Sequence, residues 1–230
     1  MCKHMSIFRY AIGFSMGSNQ LVKFLGKHAG RHRVAAAVSV CNGFEYQAHI
    51  NRVESTTIGQ AVYSRGMTYL HQEYLRTQGQ ELKDMGAEFD LERALTATTH
   101  SEFDAAIFPL YQQYGPVAYA DLQEYYADLD SRPYVPMIAI PLLCIQSADD
   151  PLFTEGGVLP HQVLPIGELY DNPNVIYFET EYGSHLNFVE ATYQEGVSRA
   201  PWTFCDRAVA AFFTYHQHSQ RLPAVTDVAP

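Results

Sequence analysis

Residues 7–28, IFRYAIGFSMGSNQLVKFLGKH, decide the fold. The stretch opens on Ile7–Phe14, a short apolar run rich in β-branched and aromatic side chains, as a buried strand is. From Asn19 to His28 the pattern turns helical, with Leu21, Phe24 and Leu25 on one face. Between the two lies Gly13-Phe14-Ser15-Met16-Gly17, a G-x-S-x-G pentapeptide. By itself the pentapeptide is weak, because glycine and serine are common and a Gly/Ser-rich helix start explains it equally well. Its place after a strand and before a helix is what a nucleophile elbow requires. So sharp a turn forces Ser15 into a strained backbone conformation. Gly13 and Gly17, two residues to either side, would remove side chains that collide there. Ser15 then stands at a helix N-terminus, where the dipole favours developing negative charge, and the Met16 amide would donate to an oxyanion.

Outward from this stretch, three more apolar runs follow: VAAAVSVC at 34–41, IAIPLLCIQ at 138–146 and NVIYFET at 174–180. A helical stripe through Val209, Phe212 and Phe213 occupies 202–217. Strands apolar on both faces and separated by helices predict an α/β fold with a mostly parallel sheet covered on both sides. Residues 45–136 carry little strand pattern. Tyr63, Met67, Leu70 and Tyr74 fall at helical spacing there, as do Leu122, Tyr125 and Tyr126. The block reads as a helical cap inserted between two strands of one sheet. The expected organisation is one domain, with core 1–44 and 137–222, cap 45–136 and a loose tail at 223–230. Tyr63, Met67, Tyr69, Tyr74, Phe108 and Tyr111 are candidates to wall an acyl pocket, although plain helix packing accounts for most of them.

A nucleophilic serine needs a base and the base an acid, which on this kind of sheet follow in the order Ser, acid, His. Asp149-Asp150 come directly after the run at 138–146, and His185 lies in EYGSH directly after the run at 174–180. Either aspartate would serve as the acid, since Asp-Pro sequences also start ordinary turns and Asp150 precedes Pro151. The acid would hold the imidazole tautomer, and His185 would take the proton from Ser15. Other histidines have plainer readings: His28, His216 and His218 sit near helix ends, and His100 adjoins an N-cap.

Composition narrows the function classes. Fifteen Lys+Arg against 25 Asp+Glu leave a net charge of −10, which argues against binding a phosphate backbone as the main work. No acidic residue precedes Glu45, yet Lys27, Arg31 and Arg33 read as complement to a helix dipole and a solvated turn, with an anionic lipid surface the lesser alternative. Cys2, Cys41, Cys144 and Cys205 form no CxxC pair and no metal-ligand spacing, so a reduced compartment is expected. No apolar stretch approaches the ~20 residues of a spanning helix. The first fourteen residues, interrupted by Arg9, do not read as a secretory leader.

Together, IGFSMGSNQLVKFLG, VAAAVSVCNGFEY, QYGPVAYADLQEYYADLDSRPYVPMIAIPLLCIQSADDP and NPNVIYFETEYGSHLNF resemble the AB hydrolase-1 domain esterases, the group of bacterial YheT and the eukaryotic ABHD1- and ABHD3-like proteins. The likeness runs from about Arg9 to Phe213. It implies an α/β-hydrolase fold with a triad of Ser15, Asp150 and His185. It also implies hydrolysis of carboxylic esters, small-molecule or lipid, without metal or dissociable cofactor. Some members of the group transfer acyl groups to alcohols instead. Gly17-Ser18, Ser184 before His185 and Asn187 before Phe188 depart from the family's usual GG, GGH and small residue. In the family the elbow follows the fifth strand. A serine at position 15 therefore reads as the back half of a hydrolase, lacking the loop that donates a second oxyanion N–H and any N-terminal membrane anchor. A non-catalytic remnant acting as a scaffold is the alternative from another class.

Overall fold

The computed structural model describes residues 9–154, 156–188 and 202–219. The four apolar runs are the strands of one sheet: β1 (Arg9–Phe14), β2 (Val34–Val40), β3 (Leu142–Ser147) and β4 (Val175–Thr180), hydrogen-bonded in the order β1-β2-β3-β4. Every neighbouring pair is parallel, with Ala37 opposite Leu142 and Leu142 opposite Val175. The helices are α1 (Met16–Lys27), α2 (Tyr46–Val53), α3 (Arg65–Asp84), α4 (Leu91–Thr96), α5 (His100–Tyr114), α6 (Leu122–Leu129), α7 (Pro151–Thr154), α8 (Pro160–Val163), α9 (Ile166–Asp171) and α10 (Phe204–Ser219). A π-helical turn at Gly59–Ser64 and a 3₁₀ helix at Arg132–Met137 complete the set. Ile7, Phe8, Cys2 and the tail at 223–230 lie outside the described residues.

Strand limits follow from backbone chemistry. β2 stops at Val40 because Cys41 takes φ 52°, outside the strand region. The run at 138–146 enters the sheet only at Leu142. Pro133 and Pro136 hold the preceding turn in a 3₁₀ helix, and Pro141 has no N–H to give a ladder, although its carbonyl accepts from the Ala37 amide at 2.9 Å. The two central strands are the buried ones: all six residues of β3 and the last five of β2. β1 and β4 stand at the two ends of the sheet, and Ile12, Phe14, Ile176 and Phe178 are exposed there.

The chain divides into two compact units. Among the described residues, the sheet unit comprises 9–42, 131–150, 165–188 and 202–219. Its core joins Val38, Val40, Leu143 and Ile145 with Phe188, and Val209, Phe212 and Phe213 of α10 pack against it. Val22 and Leu25 of α1 are fully buried. Gly26 lets α1 approach the 3₁₀ helix closely, since a Cβ there would sit 2.2 Å from the Tyr134 carbonyl oxygen.

The helical unit comprises residues 43–130 and 151–164. Residues 131–136, read from sequence as cap, thus group with the sheet, and 151–164 group with the helices. Leu75, Phe89, Ala94, Phe103 and Ile107 form its core. Thr99 caps α5 in a capping box with Glu102. Inside this unit Asp104 is buried and accepts hydroxyl hydrogen bonds from Tyr126 at 2.9 Å and Tyr46 at 3.4 Å, and burial raises its carboxyl above the ordinary value against the pull of His100. Of the aromatic residues offered as pocket walls, Tyr69 and Tyr74 are exposed, and Tyr111 stacks on Tyr125 with ring centroids 4.1 Å apart.

Candidate active site

Ser15 joins the last residue of β1 to the first of α1 at φ 50° and ψ −123°. A positive φ on a residue with a side chain stores about 1–3 kcal/mol, and the surroundings must hold it. The Ser15 amide donates to the Val40 carbonyl at 2.9 Å, tying the turn to the end of β2. Its carbonyl accepts from the Ser18 and Asn19 amides at 3.0 and 3.3 Å, which starts the helix. Crowding explains one of the two flanking glycines. A Cβ on Gly13 would lie 2.5 Å from the Gly17 carbonyl oxygen and 2.6 Å from the Ser18 Cα. A Cβ on Gly17 would meet nothing within 4 Å, so the steric reason expected there from sequence does not apply.

Three side chains from three strand ends form one hydrogen-bonded chain. His185 Nε2 lies 2.9 Å from Ser15 Oγ, and His185 Nδ1 lies 2.8 Å from Asp150 Oδ2. Asp150 has no exposed surface and also accepts from Gln146 Nε2 at 3.2 Å. A buried carboxylate on Nδ1 fixes the proton there, so that Nε2 faces the serine hydroxyl as acceptor. Of the two aspartates that sequence left open, Asp150 is the one on the imidazole.

Asp149 turns the other way. Its Oδ1 accepts the amides of Gly183 at 2.9 Å and Ser184 at 2.6 Å, together with the Ser147 hydroxyl. Burial opposes ionisation there, but these hydrogen bonds outweigh it and hold the carboxyl below its ordinary value. Sequence reasoning weighed Asp149 only as a rival acid, and nothing in the spacing marks a carboxylate that binds backbone.

Cys41, at the end of β2, is the other residue missed. Burial, with the Asp150 charge next, pushes its thiol up to about 12, so the thiol stays protonated and hydrogen-bonds Asp150, while its sulfur accepts the Leu186 amide. Cys41, Asp150 and His185 offer a thiol, a carboxylate oxygen and a ring nitrogen within 4.8 Å of one another, ligand types that zinc accepts. Each group is already engaged within the chain, and a metal ion taking all three would break the Asp150–His185 bond.

A family model for the alpha/beta hydrolase fold matches residues 9–192. The embryogenesis-associated protein EMB8 of Picea glauca is 25% identical over 198 residues, covering 84% of this chain and 40% of that protein. A monoacylglycerol lipase of Saccharomyces cerevisiae is 27% identical over 186 residues, with 78% and 38% covered. Human phospholipase ABHD3 is 26% identical over 202 residues, with 88% and 44% covered. The chain spans about two fifths of the length of these relatives.

Proposed function

The chain belongs to the alpha/beta hydrolase fold family, and from that premise we propose that it cleaves carboxylic esters through an acyl-enzyme on Ser15. The observation that carries this reading is the unbroken hydrogen-bonded chain from Ser15 through His185 to the fully buried Asp150, on a strained turn at a helix start. His185 takes the Ser15 proton as Oγ attacks the ester carbonyl, and Asp150 stabilises the imidazolium that results. The carbonyl oxygen gains charge beside the N-terminus of α1, where the Met16 N–H donates to it. The imidazolium then protonates the leaving alcohol, the tetrahedral adduct collapses and the acyl group stays on Oγ. Water, from the place the alcohol vacated, then attacks the acyl carbonyl as His185 takes its proton. The second adduct collapses by breaking the bond to Oγ, the imidazolium returns the proton to Ser15, and the carboxylic acid leaves. The cycle draws on Ser15, His185, Asp150 and water. Two of the relatives bear lipase names, which favours a lipid or medium-chain acyl ester as the substrate.

A fluorophosphonate probe tests the reading, because it reacts only with an activated serine. The native chain is expected to label at Ser15, and Ser15→Ala to lose the label while keeping its fold. Folded protein that takes no label would overturn the proposal in favour of a non-catalytic chain.

A further inference from the structure

Serine and histidine stand at opposite ends of this sheet. Ser15 follows β1 and His185 follows β4, and three inter-strand steps of about 4.8 Å, roughly 14 Å in all, separate those strands. The loop after β4 must therefore cross the ends of β3 and β2 and stop with the imidazole in reach of Oγ. Its backbone is costly to hold there: Ser184, Leu186 and Phe188 all take positive φ, at 50°, 71° and 35°. The loop closes on itself where the Asn187 and Phe188 amides donate to the Gly183 carbonyl at 2.9 and 2.8 Å. That closure gives the loop a shape but does not say where on the sheet it sits.

We propose that Asp149 is the residue that seats this loop, a positioning residue that places His185 by binding the backbone just before it. The proposal rests on the triad reading of Ser15, His185 and Asp150. Asp149 sits just past the end of β3, the first strand that the loop crosses, and one carboxylate oxygen gathers the Gly183 amide, the Ser184 amide and the Ser147 hydroxyl. Ser184 is bonded directly to His185, so fixing its amide fixes where the imidazole begins. Gly183 fits the same arrangement, because a Cβ there would lie 2.6 Å from the Phe188 ring and 2.9 Å from the Ser147 hydroxyl. The adjacent aspartates thus divide the work: Asp150 holds the ring and Asp149 holds the chain that carries the ring. Hydrogen bonds to an ionised acceptor are the strong kind, which suits a clamp on strained backbone. A displacement of about 1 Å at such a site costs on the order of 100-fold in rate.

The test uses the whole chain with Asp149→Ala and Asp149→Asn. Asparagine keeps an oxygen that accepts both amides, and alanine keeps none. Asp149→Ala is expected to lower kcat by roughly 10- to 100-fold with KM within about twofold, and Asp149→Asn to restore most of it. Amide hydrogen exchange at Gly183 and Ser184 is expected to speed up at least tenfold in the alanine variant and not in the asparagine variant. Should Asp149→Ala fail to fold, Asp149→Glu, whose carboxylate stands one methylene too far out, is expected to show the same kcat loss. Wild-type kcat in the alanine variant, or equal exchange in alanine and asparagine variants, would overturn the clamp. If the wild type takes no fluorophosphonate label, the triad reading fails, and the exchange contrast still decides whether Asp149 seats the loop.

Discussion

At the scale of single residues, the site is built from unequal neighbours that look alike in sequence. Asp150 is buried on the imidazole and Asp149 is on backbone amides, so their substitutions separate. Asp150→Asn leaves the shape but offers the imidazole the wrong partner. It is expected to lower kcat by about 10⁴, as loss of a triad carboxylate does, whereas Asp149→Asn stays within a few-fold; steady-state kinetics on one ester decides. Asp149 also carries a pH signature. Its carboxyl titrates below the ordinary 3.8 in the folded chain, so its contribution to stability is complete above 3.8 and is lost as pH falls through the lower folded value. Chemical denaturation from pH 5 downward should show this loss in the wild type and less of it in Asp149→Asn. The two glycines of the pentapeptide separate in the same way. Gly13→Ala pushes a Cβ onto backbone atoms that cannot swing aside and is expected to cost about 1–3 kcal/mol. Gly17→Ala enters open space in the first turn of α1 and is expected to be neutral or to gain up to about 1 kcal/mol, read from unfolding midpoints.

At the scale of elements, what sequence made legible was periodic and what it hid was not. β2 and β3 announce themselves through runs of Val, Ile, Ala and Leu, because a parallel strand buried on both faces has to be apolar throughout, while β1 and β4 show as short β-branched and aromatic runs and α1 as a helical repeat. The order of Ser15, aspartate and His185 was legible for the same reason, each residue lying just past a recognisable strand. The late start of β3 was hidden because Ile138–Ile140 have the hydrophobicity of a strand, while Pro141 and the 3₁₀ helix before it decide the backbone. The choice between Asp149 and Asp150 was hidden because it depends on which way two adjacent side chains leave a turn. Cys41 was hidden because its interactions come from residues more than a hundred positions away. In the helical unit, the start of α5 is a local device of the legible kind. Thr99 accepts the Glu102 amide, and Glu102 answers onto the Thr98 and Thr99 amides. Thr99→Ala is expected to cost about 0.5–2 kcal/mol of stability in urea unfolding, with the kinetics at Ser15 unchanged.

At the scale of the molecule, three free thiols among the described residues of the sheet unit lie at different depths, and they offer a graded probe of how it opens. Cys144 lies in the middle of β3, Cys41 just past β2 and Cys205 in the first turn of α10, and all three are buried. Burial pushes the thiols of Cys41 and Cys144 up to about 12 and that of Cys205 up to about 11. At pH 8 a thiol with a value near 12 is ionised in only about one molecule in ten thousand, so reaction with an alkylating reagent waits for the structure to open. Cys144 can be reached only if β3 leaves a sheet in which it is paired on both sides. Its labelling is therefore expected to follow global unfolding and to accelerate with urea at the full equilibrium slope. Cys205 needs only the start of α10 to lift, and is expected to label earlier and with weak dependence on urea. Cys41 should fall between them, because freeing it requires the His185 loop to rise and release the Leu186 amide from its sulfur. Pulsed alkylation read by peptide mass spectrometry resolves the three sites. Asp149→Ala is expected to speed Cys41 alone, because it unseats the loop and leaves the strands paired. Equal acceleration at Cys144 would mean that Asp149 holds the sheet together and not merely the loop above it.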